Sequence, residues 1–534
     1  MMIRTASAGL VLAAATMATT AATNAATEAA PNAATTAAPT AHAAPATIVQ
    51  VDGGRIEGTL EDGIRAFKGI PYAAAPVGTL RWQAPQPVQP WTGVRSAGAF
   101  GNRCMQLPLY SDMVFRAAGM SEDCLFLNVW APADATRKKL PVLVYFYGGG
   151  LQTGDGSEPR YEGAAMAKAG IVALTVNYRL GVFGFFAHPE LTAASPDKAS
   201  GNYGLLDQSA ALRWVKRNIA AFGGDPDQVT IAGESAGSFS VSAQMVMPMS
   251  RGLFARAIGE SGSILGGRGT TPLARAEEQG TAFARLVEAP TLNDLRALPA
   301  DRLLEAARMP GAPWFGIVQD GHAIERAPRD TFATGRQARV PLLAGWNSAE
   351  QGAAGVLGQD APTRENFQAA LRRLYGNDAA EAARVYDYDV SDAARDLAGD
   401  RWIVHGTWKW IDLHAKTAPT WRYYYSRPRP ATVDGKPAAT GAAHSAEIEY
   451  AMNNLAGNPV YRWSDDDRQV SRTLHGYFVN FIQHGDPNGK GLPKWPRVTD
   501  PAPNVMRIDV QSGAYDPRDR ARFEFHDRQA DRQP

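Results

Sequence analysis

From residue 140 onward the chain alternates between two hydrophobic rhythms. Residues 140–147 read as a strand, and 171–177 are a near-continuous apolar run, the signature of parallel strands covered on both faces. Between them, 161–169 reads as a helix. Leu205, Leu206, Ala210, Leu212, Trp214, Val215 and Ile219 then recur at helical spacing over 205–221, and Phe222-Gly223-Gly224-Asp225-Pro226 stops them. A β-branched run, Val229-Thr230-Ile231, follows and leads through Gly233-Glu234-Ser235-Ala236-Gly237 into helix-compatible residues. Residues 255–260, 340–346 and 420–426 read as further strands, 272–308 and 362–398 as long helical stretches, and 472–484 as a closing helix. Upstream, 48–68 reads as short antiparallel strands turning at Gly53-Gly54 and Asp62-Gly63, and 125–130 as another strand. No internal repeat is present. Strands and helices alternating through short links predict a doubly wound α/β fold: a large, mostly parallel sheet with helices on both faces and helical insertions over it.

The two ends read differently. Arg4 followed by a short apolar core over 9–17 and several Ala-x-Ala sites marks residues 1–22 as an export signal, too short to span a membrane. The competing reading is an Ala-rich tail with no targeting role. Residues 23–47 are almost all Ala, Thr and Pro and predict a flexible linker. A single globular domain is then expected over 48–515, with 516–534 as a polar tail carrying no apolar anchor. A net charge of +1 with 20% charged residues gives no polyanion-binding signature, which excludes nucleic acid as an expected partner. No His or Cys cluster has metal-site spacing, so neither metal nor cofactor is expected. Oligomeric state leaves no mark in the pattern.

The stretch with chemistry in it is Gly-x-Ser-x-Gly between strand and helix. A turn this sharp excludes a Cβ at both flanks and lifts the Ser235 hydroxyl to the top of the sheet, at a helix N-terminus that favours negative charge. Serine is a weak nucleophile and needs a base, an acid that orients the base, and donors for an oxyanion. In α/β hydrolases the chain order is serine, acid, histidine. Glu350 follows the strand over 340–346, at a strand's carboxyl end; the alternative is an ordinary surface glutamate. Six histidines lie downstream: His405, His414, His444, His475, His484 and His526. His444, among small residues in the loop after the strand over 420–426, is suited to presentation at the sheet top. His475 and His484 fall in the closing helix and read as surface or packing residues. Gly148-Gly149-Gly150 after a strand, with the Ala236 N–H, supplies candidate oxyanion donors.

These residues sit in a longer resemblance. Phe67-Lys68-Gly69-Ile70-Pro71-Tyr72-Ala73, Leu80-Arg81-Trp82, Ser121-Glu122-Asp123-Cys124-Leu125, Asn177-Tyr178-Arg179-Leu180-Gly181, the block from Gly201 to Gln208, the elbow and Gly485-Asp486-Pro487-Asn488 resemble the type B carboxylesterases, which include cholinesterases and bacterial para-nitrobenzyl esterases. The resemblance runs over about 48–496. It implies the α/β-hydrolase fold and a serine esterase acting on a small-molecule ester, with Ser235 as nucleophile, Glu350 as acid and His444 as base, and the export signal makes this an exported enzyme. It implies an oxyanion hole from Gly149, Gly150 and Ala236, with Ser261 supporting the triad and Glu234 as a pocket carboxylate. It also implies a Cys104–Cys124 disulfide and a structural Arg81–Glu122 ion pair. Two departures stand out: Ala349-Glu350-Gln351 replaces Asp-Glu-Gly, and Tyr147 replaces the histidine before the glycines, a change expected to affect packing. Trp314 and Phe315 are expected either in an acyl pocket or in the core. The same machinery fits a thioesterase, lactonase or carbamate hydrolase. Adhesion-type members of the family bind without catalysis, but they lack the serine that is present here.

Overall fold

The computed structural model describes residues 47–135, 138–267, 269–517 and 519–532. The expected export signal over 1–22 and the linker, apart from residue 47, lie outside the described residues.

Eleven strands form the central sheet. In chain order they are β1 (Thr59–Glu61), β2 (Ile64–Pro71), β3 (Phe126–Pro132), β4 (Leu140–Phe146), β5 (Val172–Val176), β6 (Gly224–Glu234), β7 (Arg256–Glu260), β8 (Leu342–Asn347), β9 (Thr420–Tyr425), β10 (Val505–Ile508) and β11 (Gly513–Tyr515). Their spatial order is β11-β10-β9-β8-β7-β6-β4-β5-β3-β2-β1. From β5 through β10 every neighbouring pair is parallel, and the flanking pairs are antiparallel. Every residue of β5 and β8 is buried. Strands 48–51, 54–57 and 94–96 stand apart as a three-stranded sheet.

β4 lies between β5 and β6, so the chain leaves it toward one edge and later returns on its other side. Such a switch point opens a crevice at the carboxyl ends of the strands, where α/β sheets bind ligands. Two helices flank the turn made there. Helix α1 (Tyr203–Asn218) buries Leu205, Leu212, Trp214 and Val215 and ends in a 3₁₀ turn closed by Gly223 at φ 92°. A Cβ on Gly223 would lie 2.1 Å from the Ala135 carbonyl, so the left-handed stop also needs a bare backbone. Helix α2 (Ala236–Val246) begins directly after Ser235.

Two long-range ion pairs tie the crossovers together. Arg179 holds buried Asp207 through its Nε at 2.8 Å and a second nitrogen at 2.7 Å. Arg81 holds Glu122 at 2.6 Å, as the resemblance implied, and also donates to the carbonyls of Leu295, Arg296 and Leu298. Beyond α3 (His405–His414) and α4 (Asp465–His484), the chain ends in α5 (Arg520–Ala530). Here the structure departs from the polar tail expected over 516–534. Phe523 and Phe525 are fully buried, and Arg522 pairs with Asp396 and Asp400.

Candidate active site

Ser235 sits at φ 54°, ψ −120°, a positive-φ conformation outside the left-handed helical well that costs a non-glycine residue strain and persists only where its surroundings enforce it. The glycines explain how. A Cβ on Gly237 would lie 2.0 Å from the Phe146 carbonyl oxygen, and one on Gly233 2.6 Å from the same atom. The end of β4 therefore presses directly on the elbow. The glycine turn that follows β4 is equally close: a Cβ on Gly148 would lie 2.7 Å from Glu234 Oε2 and 3.1 Å from Ser235 Cβ. Gly149 and Gly150 follow at φ 109° and 65°, and a Cβ on Gly149 would lie 2.1 Å from the Thr153 carbonyl oxygen.

Glu350 and His444 arrive from the loops after β8 and β9, which are paired neighbours in the sheet. A bridge between Ala349 and Ala443 and a hydrogen bond from Ala349 N–H to the Ala442 carbonyl, 2.8 Å, lock the two loops to each other. The departure to Ala349 is accommodated here, since Gly441 packs against its methyl group. His444 Nδ1 lies 2.6 Å from Glu350 Oε2. The other Glu350 oxygen accepts from Ser261 Oγ and from Asn347 N–H, each at 2.6 Å. His444 Nε2 faces Glu234 Oε1 at 3.1 Å, and no hydrogen bond joins it to Ser235 Oγ among the described residues. Ser261 and Ser445 also have positive φ, so backbone strain clusters around this site.

Two buried acids of the surrounding cluster are absent from the expected set. Glu260, at the end of β7, accepts from Tyr145 Oη at 3.0 Å and leaves its second oxygen without a partner. Glu447, three residues beyond His444, accepts from Asn347 Nδ2 at 2.5 Å. Burial pushes the Glu447 carboxyl up to about 7, with the Glu350 charge adding to it. Burial likewise takes Glu234 up to about 8 and Glu260 well above the ordinary carboxylate range. Burial lowers the His444 imidazole, but Glu234 and Glu350 outweigh it and leave the ring raised to about 9. With 3.1 Å between them, His444 and Glu234 titrate as a pair. The local sequence hints at both missed acids only by adjacency, Glu260 to Ser261 and Glu447 to His444; nothing short of the fold shows them converging.

The remaining candidates separate cleanly. His405 bonds Asp527, His414 the Val340 carbonyl, His475 the Ala451 carbonyl and His526 the Tyr386 hydroxyl; His484 ends α4. Tyr147 stacks on Tyr178 at 4.5 Å, with each hydroxyl meeting the other residue's carbonyl, which fits the expected packing change. Phe315 is buried among Phe186 and Phe283, whereas Trp314 is 54% exposed beside Gly150. Cys104 and Cys124 form a disulfide.

A strained serine between strand and helix, at the switch point of a mostly parallel sheet, defines an α/β hydrolase. The chain belongs to the carboxylesterase family, whose profile matches residues 45–526, and is a carboxylic ester hydrolase. It is 35% identical over 475 residues to the fumonisin B1 esterase of Sphingopyxis macrogoltabida, covering 85% of each chain. It is 34% identical over 481 residues to the para-nitrobenzyl esterase of Bacillus subtilis, covering 87% of this chain and 95% of that one. A solved carboxylesterase of Geobacillus stearothermophilus superposes with a TM-score of 0.77 at 32% identity, covering 89% of this chain and 99% of that one.

Proposed function

We propose that the protein is an exported serine esterase working through an acyl-enzyme, with Ser235 as nucleophile, His444 as base and Glu350 as the acid that orients it. The observation that carries this reading is the 2.6 Å contact between His444 Nδ1 and Glu350, made by loops leaving adjacent strands at the end of the sheet that carries the Ser235 turn. With Nδ1 committed to Glu350, Nε2, which faces Glu234 Oε1 at 3.1 Å, is the nitrogen that serves as base. It takes the Ser235 proton as Oγ bonds to the ester carbonyl carbon, and the N–H groups of Gly149, Gly150 and Ala236 receive the oxyanion. Collapse expels the alcohol, which takes its proton from His444. Water, deprotonated by the same nitrogen, then adds to the acyl carbonyl carbon, and collapse breaks its bond to Oγ, which recovers a proton from His444 as the carboxylic acid leaves.

Support for export comes from the 1–22 sequence pattern and from the Cys104–Cys124 disulfide, which suits an oxidising compartment. Among the described residues no helix is long and apolar enough to cross a membrane. Ser235→Ala tests the reading. Hydrolysis of a para-nitrophenyl ester should fall by at least about 10⁵ while the circular dichroism spectrum stays that of the wild type. Wild-type-like turnover in this variant would eliminate the mechanism. A panel of esters varied in acyl length, acyl charge and alcohol then assigns the substrate.

A further inference from the structure

His444 has a neighbour outside the acid cluster. After the helix Val390–Gly399 the chain makes one π-helical turn, Asp400–Val404, before α3 begins. Such turns insert one residue into a helix and are frequent at functional sites. This one is pinned on both sides. Buried Asp400 accepts from the Tyr386 hydroxyl at 2.6 Å and lies 3.1 Å from Arg522 Nε of α5. A Cβ on Gly399 would lie 3.5 Å from Glu350 Cβ, so the turn also rests on the acid. Two residues past Asp400, the half-buried Trp402 ring stands against His444, with centroids 4.6 Å apart and planes at 61°.

We propose that Trp402 is a positioning residue for His444, whose indole stabilises the imidazolium formed when Ser235 gives up its proton and keeps Nδ1 turned toward Glu350. The inference rests on His444 being the base. An aromatic ring within about 6 Å of a cation attracts it, and more strongly where water is excluded. The titratable groups facing the imidazole are Glu350 from the loop after β8, Glu234 from the end of β6 and Glu447 from its own loop. Each of these is a carboxylate that accepts a proton. Indole does not, so it favours the charged ring without competing for what the ring carries. The attraction exists only while the ring is charged, and it therefore acts on kcat rather than on substrate binding.

Trp402→Leu and Trp402→Phe in the full-length protein test this. Leucine keeps an apolar wall and removes the π-system; phenylalanine keeps both in part. Two readouts are needed: steady-state kinetics on a para-nitrophenyl ester, and titration of the ¹⁵N-labelled histidine ring by NMR. In Trp402→Leu, the His444 pKa should fall by about half to one and a half pH units, and kcat, read on its plateau at pH values above the ring's titration, should fall by about 3- to 30-fold with KM nearly unchanged. Trp402→Phe should recover most of both. An unchanged ring pKa and kcat in the leucine variant, or a phenylalanine variant no better than leucine, would overturn the proposal. A ring pKa that falls while kcat does not would overturn His444 as the base and leave the Trp402 contact standing.

Discussion

Replacing Glu350 by glutamine removes one charge and almost no volume. The wild-type carboxylate accepts from Ser261 Oγ and Asn347 N–H on one oxygen and from His444 Nδ1 on the other, all at 2.6 Å. The glutamine carbonyl serves Ser261 and Asn347, which turns its NH₂ toward the histidine. Nδ1 must then accept, so the neutral ring carries its proton on Nε2, the nitrogen that has to receive the Ser235 proton. A hydrogen bond to a charged group is worth about 1.5–3 kcal/mol, and the wrong tautomer adds to its loss. The analogous acid-to-amide change in a chymotrypsin-type triad costs about 10⁴ in kcat. Glu350→Gln is therefore expected to lower kcat by about 10²- to 10⁴-fold. KM should stay within about threefold, because the carboxylate matters most when the ring is charged. The assay is steady-state hydrolysis of a para-nitrophenyl ester from pH 7 to 9, with a thermal melt to show that the fold is retained. A kcat within about twofold of wild type would refute the assignment and send the search to other carboxylates between Ser235 and His444.

The buried acids make stability pH-dependent. Glu447 is raised from 4.5 to about 7, so its proton favours the folded state, and that contribution is lost as pH rises through about 7. Relative to wild type, Glu447→Gln should accordingly melt at a higher temperature at pH 9 than at pH 5, by several degrees; an equal difference at both pH values would contradict this. The disulfide closes a loop with a sequence separation of 20 residues, worth about 3 kcal/mol in the chain-entropy model. Converting both cysteines to serine should lower the melting temperature by several degrees, and two alkylatable thiols in protein secreted by its host would deny the bridge there.

What could be read from the sequence was what is local. The elbow is legible because strand, glycine turn and helix lie within a few residues of one another, and its glycines answer to a single contact with the end of β4. Glu350 and His444 follow from chain order and from their place after strands. Element boundaries are less visible. The helical stretch over 272–308 is three helices, because Pro290 and Pro299 interrupt it. The closing helix begins at Asp465 rather than 472, since Ser464 and Asp467 form a capping box whose acidic first turn lacks apolar periodicity. Helix α5 is masked in the same way: its residues are mostly charged, and only Phe523 and Phe525 betray a buried face. Glu260, Glu447 and Trp402 come from three different elements, and only the folded chain brings the two acids near each other and the indole against His444.

The central claim is that Ser235 carries the acyl group, and trapping that intermediate tests it most directly. The purified enzyme is mixed with excess para-nitrophenyl ester, quenched in acid within milliseconds and digested for peptide mass spectrometry. The mechanism predicts one acyl group per chain, on the peptide containing Ser235, formed with a burst of para-nitrophenol and absent from Ser235→Ala. Full turnover with Ser235 unmodified, or an acyl group carried by another residue at the same rate, would contradict it.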